Sequence, residues 1–444
     1  MEGPLVQQLS FSQLLVRSLA QDTKNHGKRA LVNPLGCILT VLFSYLPDKT
    51  LGELMKVSFS MLTLLVQSKI PIPLSLSVNS DSADGMLLAR SKLEALKTET
   101  NLRFSIKLQI SSARNRWAAD LNALLGLEPF LQENDAEFVH SIAFKNLHVG
   151  LEEIHKHMVR SISLMQGLRT LDLSGYHFQD KNIFEVHFAS KRMLNTLEEV
   201  RVNPCSLGVL RILCETNKGL RVLKLHADGG NGKRTDIFST LSALPVETLT
   251  TVSVHFLSVM TREESEELKE FVHRQQRLLN LSLYSCQVSE LACDNFVRLL
   301  TQTRLEKLKL DSLHMGHPQL LRVVDQIGNM TQLKSLTVTN KHCNEKNAQR
   351  LCSGLREMTS LRQLDLSYLC LSAHGVSELA GALTNLQRLQ QLDLSNNRFH
   401  DIEDVSSFVA ALTAFSKLTR LRVGNCGMTE GVRRQMETVL QKQI

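Results

Sequence analysis

From residue 139 onward, aliphatic residues return in the spacing L-x-x-L-x-L, where L is any aliphatic residue, most clearly at Leu361, Leu364, Leu366 and at Leu389, Leu392, Leu394. The first position falls at Leu168, Leu197, Leu220, Leu249, Leu278, Leu305, Leu333, Leu361, Leu389 and Leu418, so that nearly constant steps, with one short one from Leu197 to Leu220, carry the motif along the chain. A weaker copy, Val139, Ile142 and Phe144, stands one such step before Leu168. Alternation inside the motif predicts a short strand with one apolar side. Between motifs the period changes: Val376, Leu379, Ala380 and Leu383 follow i, i+3, i+4, i+7, the stripe of a helix packed on the strands. Thr261 and Glu264 have capping-box spacing and predict a helix start where the repeat requires one. One such unit cannot cover its own apolar face, but stacked neighbours share a continuous core.

Over about 300 residues this pattern resembles the leucine-rich repeat, and a period near 28 is similar to its ribonuclease-inhibitor-type class. The resemblance implies an α/β solenoid, a horseshoe with parallel strands inside and helices outside, here spanning residues 138–444 with Gly427–Ile444 as a terminal cap. The family places Asn or Cys at the ninth position, where the side chain bonds backbone groups of the next turn. Asn397, Cys205, Cys286 and Cys426 occupy it here, whereas Tyr176, Leu313, Lys341 and Leu369 hold it in other units and imply irregular turns. The short unit from Leu197 to Leu220 predicts a turn or 3₁₀ segment in place of its helix.

Residues between the aliphatic positions point to the other face of each strand. That face carries Arg201, Lys224, Tyr284, Lys307, Lys309, Asp365, Asp393, Arg420 and Arg422, the candidate substrate-binding residues, among neutral polar neighbours. Mixed charge with few aromatics predicts no stacking platform for bases and no active-site cluster. It suits recognition of a protein surface.

Residues 1–75 read as short helices, Phe11 to Ala20, Pro34 to Tyr45 and Thr50 to Gln67, closed by the break Lys69-Ile70-Pro71-Ile72-Pro73. Residues 76–137 read as a helical bridge capping the solenoid, with an irregular strand at Phe104, Ile106 and Leu108. Phe11, Leu15 and Leu19 recur every four positions and line one helix stripe. With Ser10 they resemble the elongin-binding BC box, Phe11 standing for its Leu and Leu15 for its Cys or Ala. The following stretch, with Pro34, Ile38, Leu39 and Leu42, looks like a cullin box; Ile38 to Leu51 with Val57 also resembles an F-box. The order of these parts is similar to PRAME and Zyg-type substrate receptors of cullin-RING ubiquitin ligases, or to F-box proteins with leucine-rich repeats. Either resemblance implies an adaptor, elongin B/C or the F-box adaptor, with its cullin, bound through Phe11, Leu15, Leu19, Pro34, Ile38, Leu39 and Leu42, and a protein substrate on the repeats. The competing reading is a non-catalytic scaffold or regulator whose N-terminal helices only cap the first repeat.

Composition narrows the remaining classes. Of 444 residues, 43% are hydrophobic and 21% charged, which excludes a disordered or fibrous chain. Aromatics are 5%, so the core is largely aliphatic. A net charge of +7 on this length, with no run of five basic residues, gives no indication of nucleic acid. Nine cysteines without a C-x-x-C pair or a secretory leader predict a reduced cytoplasmic or nuclear protein. The uncharged run from Leu31 to Pro47 is too short for a comfortable membrane span. Asp228 to Thr235 lacks both the first glycine and the hydroxyl residue of a phosphate loop. His155 and His157, two apart on an expected helix, face different ways and cannot chelate one metal. The expectation is therefore a monomer before complex assembly, with no cofactor, no metal and no catalytic residues of its own.

Overall fold

The computed structural model describes residues 72–79, 104–111, 127, 139–145, 147–149, 152–178, 196–203, 207–226, 241–242, 244, 247–256, 259–301, 304–340, 343–399, 406–413 and 417–434. They fall into two compact units, Met1–Leu197 and Glu198–Ile444. The stretches Phe11 to Ala20, Pro34 to Tyr45 and Thr50 to Gln67, expected to be helical, lie outside the described residues, as does the loop Asp228 to Thr235.

In the first unit the elements run β1 (Ile72–Asn79), β2 (Phe104–Ser111), β3 (Val139–Lys145), β4 (Leu147–Val149), α1 (Glu152–Leu164), β5 (Thr170–Leu173) and β6 (Tyr176–Phe178). Strands β1, β2, β3 and β5 are parallel neighbours in that order, and β4 pairs with β6 in a second, short parallel ladder. Ile106, Leu108 and Ile110 from β2, Ile142 and Phe144 from β3, and Leu171 and Leu173 from β5 are buried with Met158, Val159 and Ile162 of α1. The weak copy at Val139 thus forms a true strand. The sheet also extends two strands upstream of the edge expected near residue 138: Phe104–Ser111 is regular, and β1 starts inside the expected break, at Ile72 and Pro73, and runs to Asn79 in the expected helical bridge. Within a parallel ladder, residues 72–79 pair residue for residue with residues 104–111, a constraint that proline-rich local sequence does not announce.

The second unit repeats one plan. Its elements are β7 (Glu199–Val202), α2 (Leu207–Thr216), β8 (Val222–Leu225), β9 (Thr251–His255), β10 (Val259–Met260), α3 (Arg262–Arg274), β11 (Asn280–Tyr284), β12 (Gln287–Val288), α4 (Glu290–Thr301), β13 (Lys307–Asp311), α5 (His317–Gly328), β14 (Ser335–Val338), α6 (Glu345–Gly354), β15 (Gln363–Asp365), α7 (Ala373–Leu383), β16 (Gln391–Asp393), α8 (Ser406–Thr413) and β17 (Arg420–Arg422). The parallel order is β7-β8-β9-β11-β13-β14-β15-β16-β17, with β10 and β12 paired separately. Register follows the motif: Leu281 faces Leu308, Leu308 faces Leu336, Leu336 faces Leu364, Leu364 faces Leu392 and Leu392 faces Leu421. The ten first-position leucines, from Leu168 to Leu418, are at most 3% exposed. Each fully buried leucine side chain contributes about 1.5–3 kcal/mol, and this recurring term holds successive coils together.

The helices close the core from one side of the sheet. Val376, Leu379, Ala380 and Leu383 are all buried, as their spacing requires. Thr261 Oγ1 accepts the Glu264 N–H at 3.2 Å while the Glu264 carboxylate accepts the Thr261 N–H at 2.7 Å, a complete capping box on α3. Adjacent helices are stitched by Arg322 to Asp294, by Arg350 to Asp325 at 2.6 Å, and by the Asn347 amide donating to the His317 carbonyl at 3.1 Å. Where α5 and α6 cross most closely, Gly328 and Gly354 meet backbone to backbone, and a Cβ on Gly328 would lie 3.3 Å from Gly354 Cα.

The unit beginning at Leu197 differs from expectation: its helix is kept. Leu207–Thr216 is α-helical, and the shortening falls on the connections, with only residues 203–206 between β7 and the helix. Leu210, Leu213 and Cys214 from that helix are fully buried, so removing it would open the core. At the far end, residues 430–434 are helical, while 435–444 of the expected cap lie outside the described residues.

Candidate functional site

The turns leaving the strands fix the geometry of everything on the sheet. Ser285, Ser312, Tyr368, Asn396 and Asn425, each at the eighth repeat position, adopt positive φ of 52°, 56°, 58°, 61° and 57°. Only asparagine among these suits that region readily, so the coil imposes the conformation on the others. At the next position Asn397 is buried and fully used: its amide donates to Leu366 and Leu394 carbonyls at 2.9 and 2.7 Å, and its Oδ1 accepts the Leu369 and Leu371 N–H groups at 3.1 and 3.0 Å. Cys426 donates from Sγ to the Leu394 carbonyl at 3.1 Å. Leu313 and Leu369 fill the equivalent place as buried apolar groups. Cys205 and Lys341 lie outside the described residues.

All the described thiols but Cys370 are buried. Burial pushes Cys214 and Cys343 up to about 12, and Cys352 likewise, with a smaller push from neighbouring Cys343. Burial alone raises Cys286. Such thiols stay protonated and are poor nucleophiles.

On the helix-free face of the second unit, the candidate residues form three groups. Arg201 and Lys224 both donate to Glu199 Oε1 at 2.8 Å, joining β7 to β8. Burial pushes the Glu199 carboxyl up, but the bonds from Lys224 and Arg201 outweigh it and hold its pKa below the usual value.

The second group is a column at the seventh repeat position. His226 and His255 stack at 4.9 Å, His255 and Tyr284 at 4.1 Å with only 12° between planes, and Lys309 Nζ stands 4.7 Å from the Tyr284 centroid. Lys309 also pairs with Asp311 at 3.1 Å, and Asp311 accepts from Thr339 Oγ1 at 2.8 Å. Burial raises the Asp311 carboxyl, yet Thr339 and Lys309 together bring it below its usual range. A stack of rings therefore forms despite the few aromatics, but its members cover one another and leave the faces between them closed to bases. In-register parallel strands place every seventh-position side chain about 4.8 Å from the next, so three rings suffice. The column also adds His226, His255 and Asp311 to the candidate residues, a signal available in the sequence only by reading one repeat position down successive copies.

The third group lies further along. Asp365 Oδ1 accepts from Ser367 N at 3.0 Å and Ser367 Oγ at 2.7 Å, and Asp393 Oδ1 accepts from Ser395 N at 3.0 Å. Asp172 and Ser174 repeat this arrangement in the first unit, where Lys145 joins at 2.7 Å. These aspartates fasten the end of their own strands, and Asp393 is shared with Arg422 at 3.3 Å. Lys307 and Arg420 are exposed. The adaptor-binding candidates Phe11, Leu15, Leu19, Pro34, Ile38, Leu39 and Leu42 lie outside the described residues. Among the described residues no group of three or more His, Cys, Asp or Glu could hold a metal ion, and no helix is long and apolar enough to cross a membrane.

Comparison with known families agrees with the coil geometry. The Leucine Rich Repeat family model matches residues 388–408, the segment holding β16. No curated protein matches the chain. Similar solved structures include an internalin from Listeria monocytogenes, 14% identical, covering 81% of this chain and 92% of that one with a TM-score of 0.38. A protein of Bacteroides fragilis is 13% identical, covering 76% and 82% with a TM-score of 0.34. With its motif positions paired in register, its first-position leucines buried and its ninth-position asparagine bonding the neighbouring turn, the chain has the fold of a leucine-rich repeat solenoid, and residues 388–408 match that family's model.

Proposed function

We propose that this repeat protein is a non-catalytic interaction scaffold that holds a partner protein on its helix-free strand face, and that it serves as the substrate-recognition subunit of a cullin-RING ubiquitin ligase. The observation that carries the first part is the row of polar side chains at alternate strand positions, held in place by Glu199, the ring column and Asp311. Such a row costs little entropy to order on binding because its members are already fixed. The second part is supported by the N-terminal BC-box-like and cullin-box-like, or F-box-like, stretches preceding the repeats.

Two experiments on the full chain separate these parts. A photo-crosslinking residue at Ser282, on the helix-free face, should capture a partner protein in cells that one at Leu291, an exposed position on α4, does not. Equal capture at both positions overturns the scaffold reading. Purification from cells should bring elongin B, elongin C and a cullin, lost on Leu15→Asp with Leu19→Asp, or else the F-box adaptor. Absence of both adaptors overturns the ligase reading and leaves the scaffold.

A further inference from the structure

On the helix-free face between β8 and β13, positive charge exceeds negative, and the negative charge is already engaged. Lys224, Lys307 and Lys309 lie on these strands beside His226 and His255. The nearby carboxylates are Glu199, taken by two cations, and Asp311, taken by Lys309 and Thr339. Lys307 is different: it is exposed, and the residues in register on either side, Asn280 and Ser335, are neutral. Its ammonium has no carboxylate opposite it in the sheet.

Four residues further along the strands, about 13 Å from this cation, the three rings stack on one another. His255 is covered by His226 on one side and Tyr284 on the other, and Tyr284 is covered in turn by Lys309. A nucleic acid gains sequence-tolerant affinity by stacking bases on free aromatic faces. Here the faces between the rings are filled by one another and the far face of Tyr284 by Lys309, and what the column offers a ligand is ring edges. Carboxylates match the uncompensated charge at Lys307 and the excess of positive charge on these strands.

We propose that the helix-free face from β8 to β13 docks an acidic segment of the partner protein, with Lys307 as the anchoring cation and the His226, His255, Tyr284 column bounding the face four residues along the strands. This rests on the reading that the face holds a protein, and it specifies the chemistry of what is held. The partner contributes Asp or Glu side chains spaced to meet successive strands, and attraction weakens with salt as it does for exposed charges.

The test uses the full chain and a fluorescein-labelled oligoglutamate peptide followed by anisotropy, with oligoglutamine, oligolysine and oligothymidylate as competing probes. Oligoglutamate should bind, Lys307→Glu should weaken it at least about tenfold, the loss of one strong charged contact, and Arg388→Glu, the same charge change at an exposed residue in the turn before β16, should leave it within about twofold. Circular dichroism of both variants should match the parent, because neither side chain is in the core. Failure of oligoglutamate to bind, equal loss in the two variants, or tighter binding of oligothymidylate would each overturn the proposal. If oligoglutamate fails while the Ser282 crosslink still captures a partner, the docking face survives and only its acidic ligand falls. If both fail, the scaffold reading goes as well.

Discussion

Asn397 and Leu371 belong to successive coils, and the Leu371 N–H donates to Asn397 Oδ1 at 3.0 Å, tying one coil's turn to the next. Three further bonds, from Leu369 and to Leu366 and Leu394, complete the amide. Replacement by leucine strands two backbone donors and the Leu366 carbonyl in a buried turn, while the Leu394 carbonyl keeps the Cys426 thiol. Each orphaned group costs about 1–3 kcal/mol, so Asn397→Leu should destabilise the chain by at least about 2 kcal/mol. Asn397→Asp keeps the acceptor but turns a second oxygen on the Leu366 and Leu394 carbonyls, so it should destabilise as well. Urea denaturation of the three proteins decides it: a leucine variant within about 0.5 kcal/mol of the parent, the ordinary range of a neutral surface change, shows the turns do not depend on this amide.

The ring column makes stability depend on pH. Burial pushes the His255 pKa below its usual 6.5, His226 and Lys309 push the same way, and Asp311 opposes them. The unfolded chain therefore takes up this proton at a higher pH than the folded one. The contribution of His255 is complete above about pH 6.5 and is lost as pH falls through the folded value. Between about pH 7 and pH 5, thermal stability of the parent should fall more steeply than that of His255→Gln. Identical slopes would remove His255 from the acid response. His273 is shifted in the same direction by burial, which is why the comparison is made with a single substitution.

Helix α3 tests how much a local signal contributes within a long core. Thr261→Ala removes the side-chain acceptor for Glu264 N and keeps the reciprocal bond, whose donor is the backbone N–H of residue 261. The expected cost is about 1 kcal/mol, with faster amide exchange confined to the first turn of α3. Thr261→Ser should restore most of it. Loss of protection spread over neighbouring coils would mean the cap acts on the whole unit.

The approach of α5 to α6 gives an opposite case. Alanine normally exceeds glycine in a helix by about 0.5–1 kcal/mol. At Gly328 the added methyl meets the Gly354 backbone at 3.3 Å, so Gly328→Ala should show no such gain and Gly328→Leu should destabilise by about 1–3 kcal/mol through overpacking. Thermal unfolding of both variants checks this. A stabilised leucine variant would show that the helices separate freely.

Much of the fold is legible in one dimension because the period is written in the core itself. A motif leucine that returns once per coil has only one way to be buried with its copies, and the fourth-position residues Leu281, Leu308, Leu336, Leu364 and Leu392 meet across successive strands. Strand β1 is not legible in this way, since its pairing partner is the distant segment 104–111 and its own residues carry no helix-strand period. Length alone misjudges helix α2, because burial of Leu210 and Leu213 preserves a helix while its loops shorten.

The candidate site divides in the same way. Sequence alone determined which residues share the helix-free face, because side-chain alternation in a strand needs no partner. Only the tertiary structure decided what they do there. Parallel register at about 4.8 Å turned His226, His255 and Tyr284 into one column, committed Asp365 to its own turn, and left Lys307 facing neutral neighbours. Periodicity sets direction, while contacts between side chains one repeat apart depend on the spacing of coils, a property of the assembled sheet.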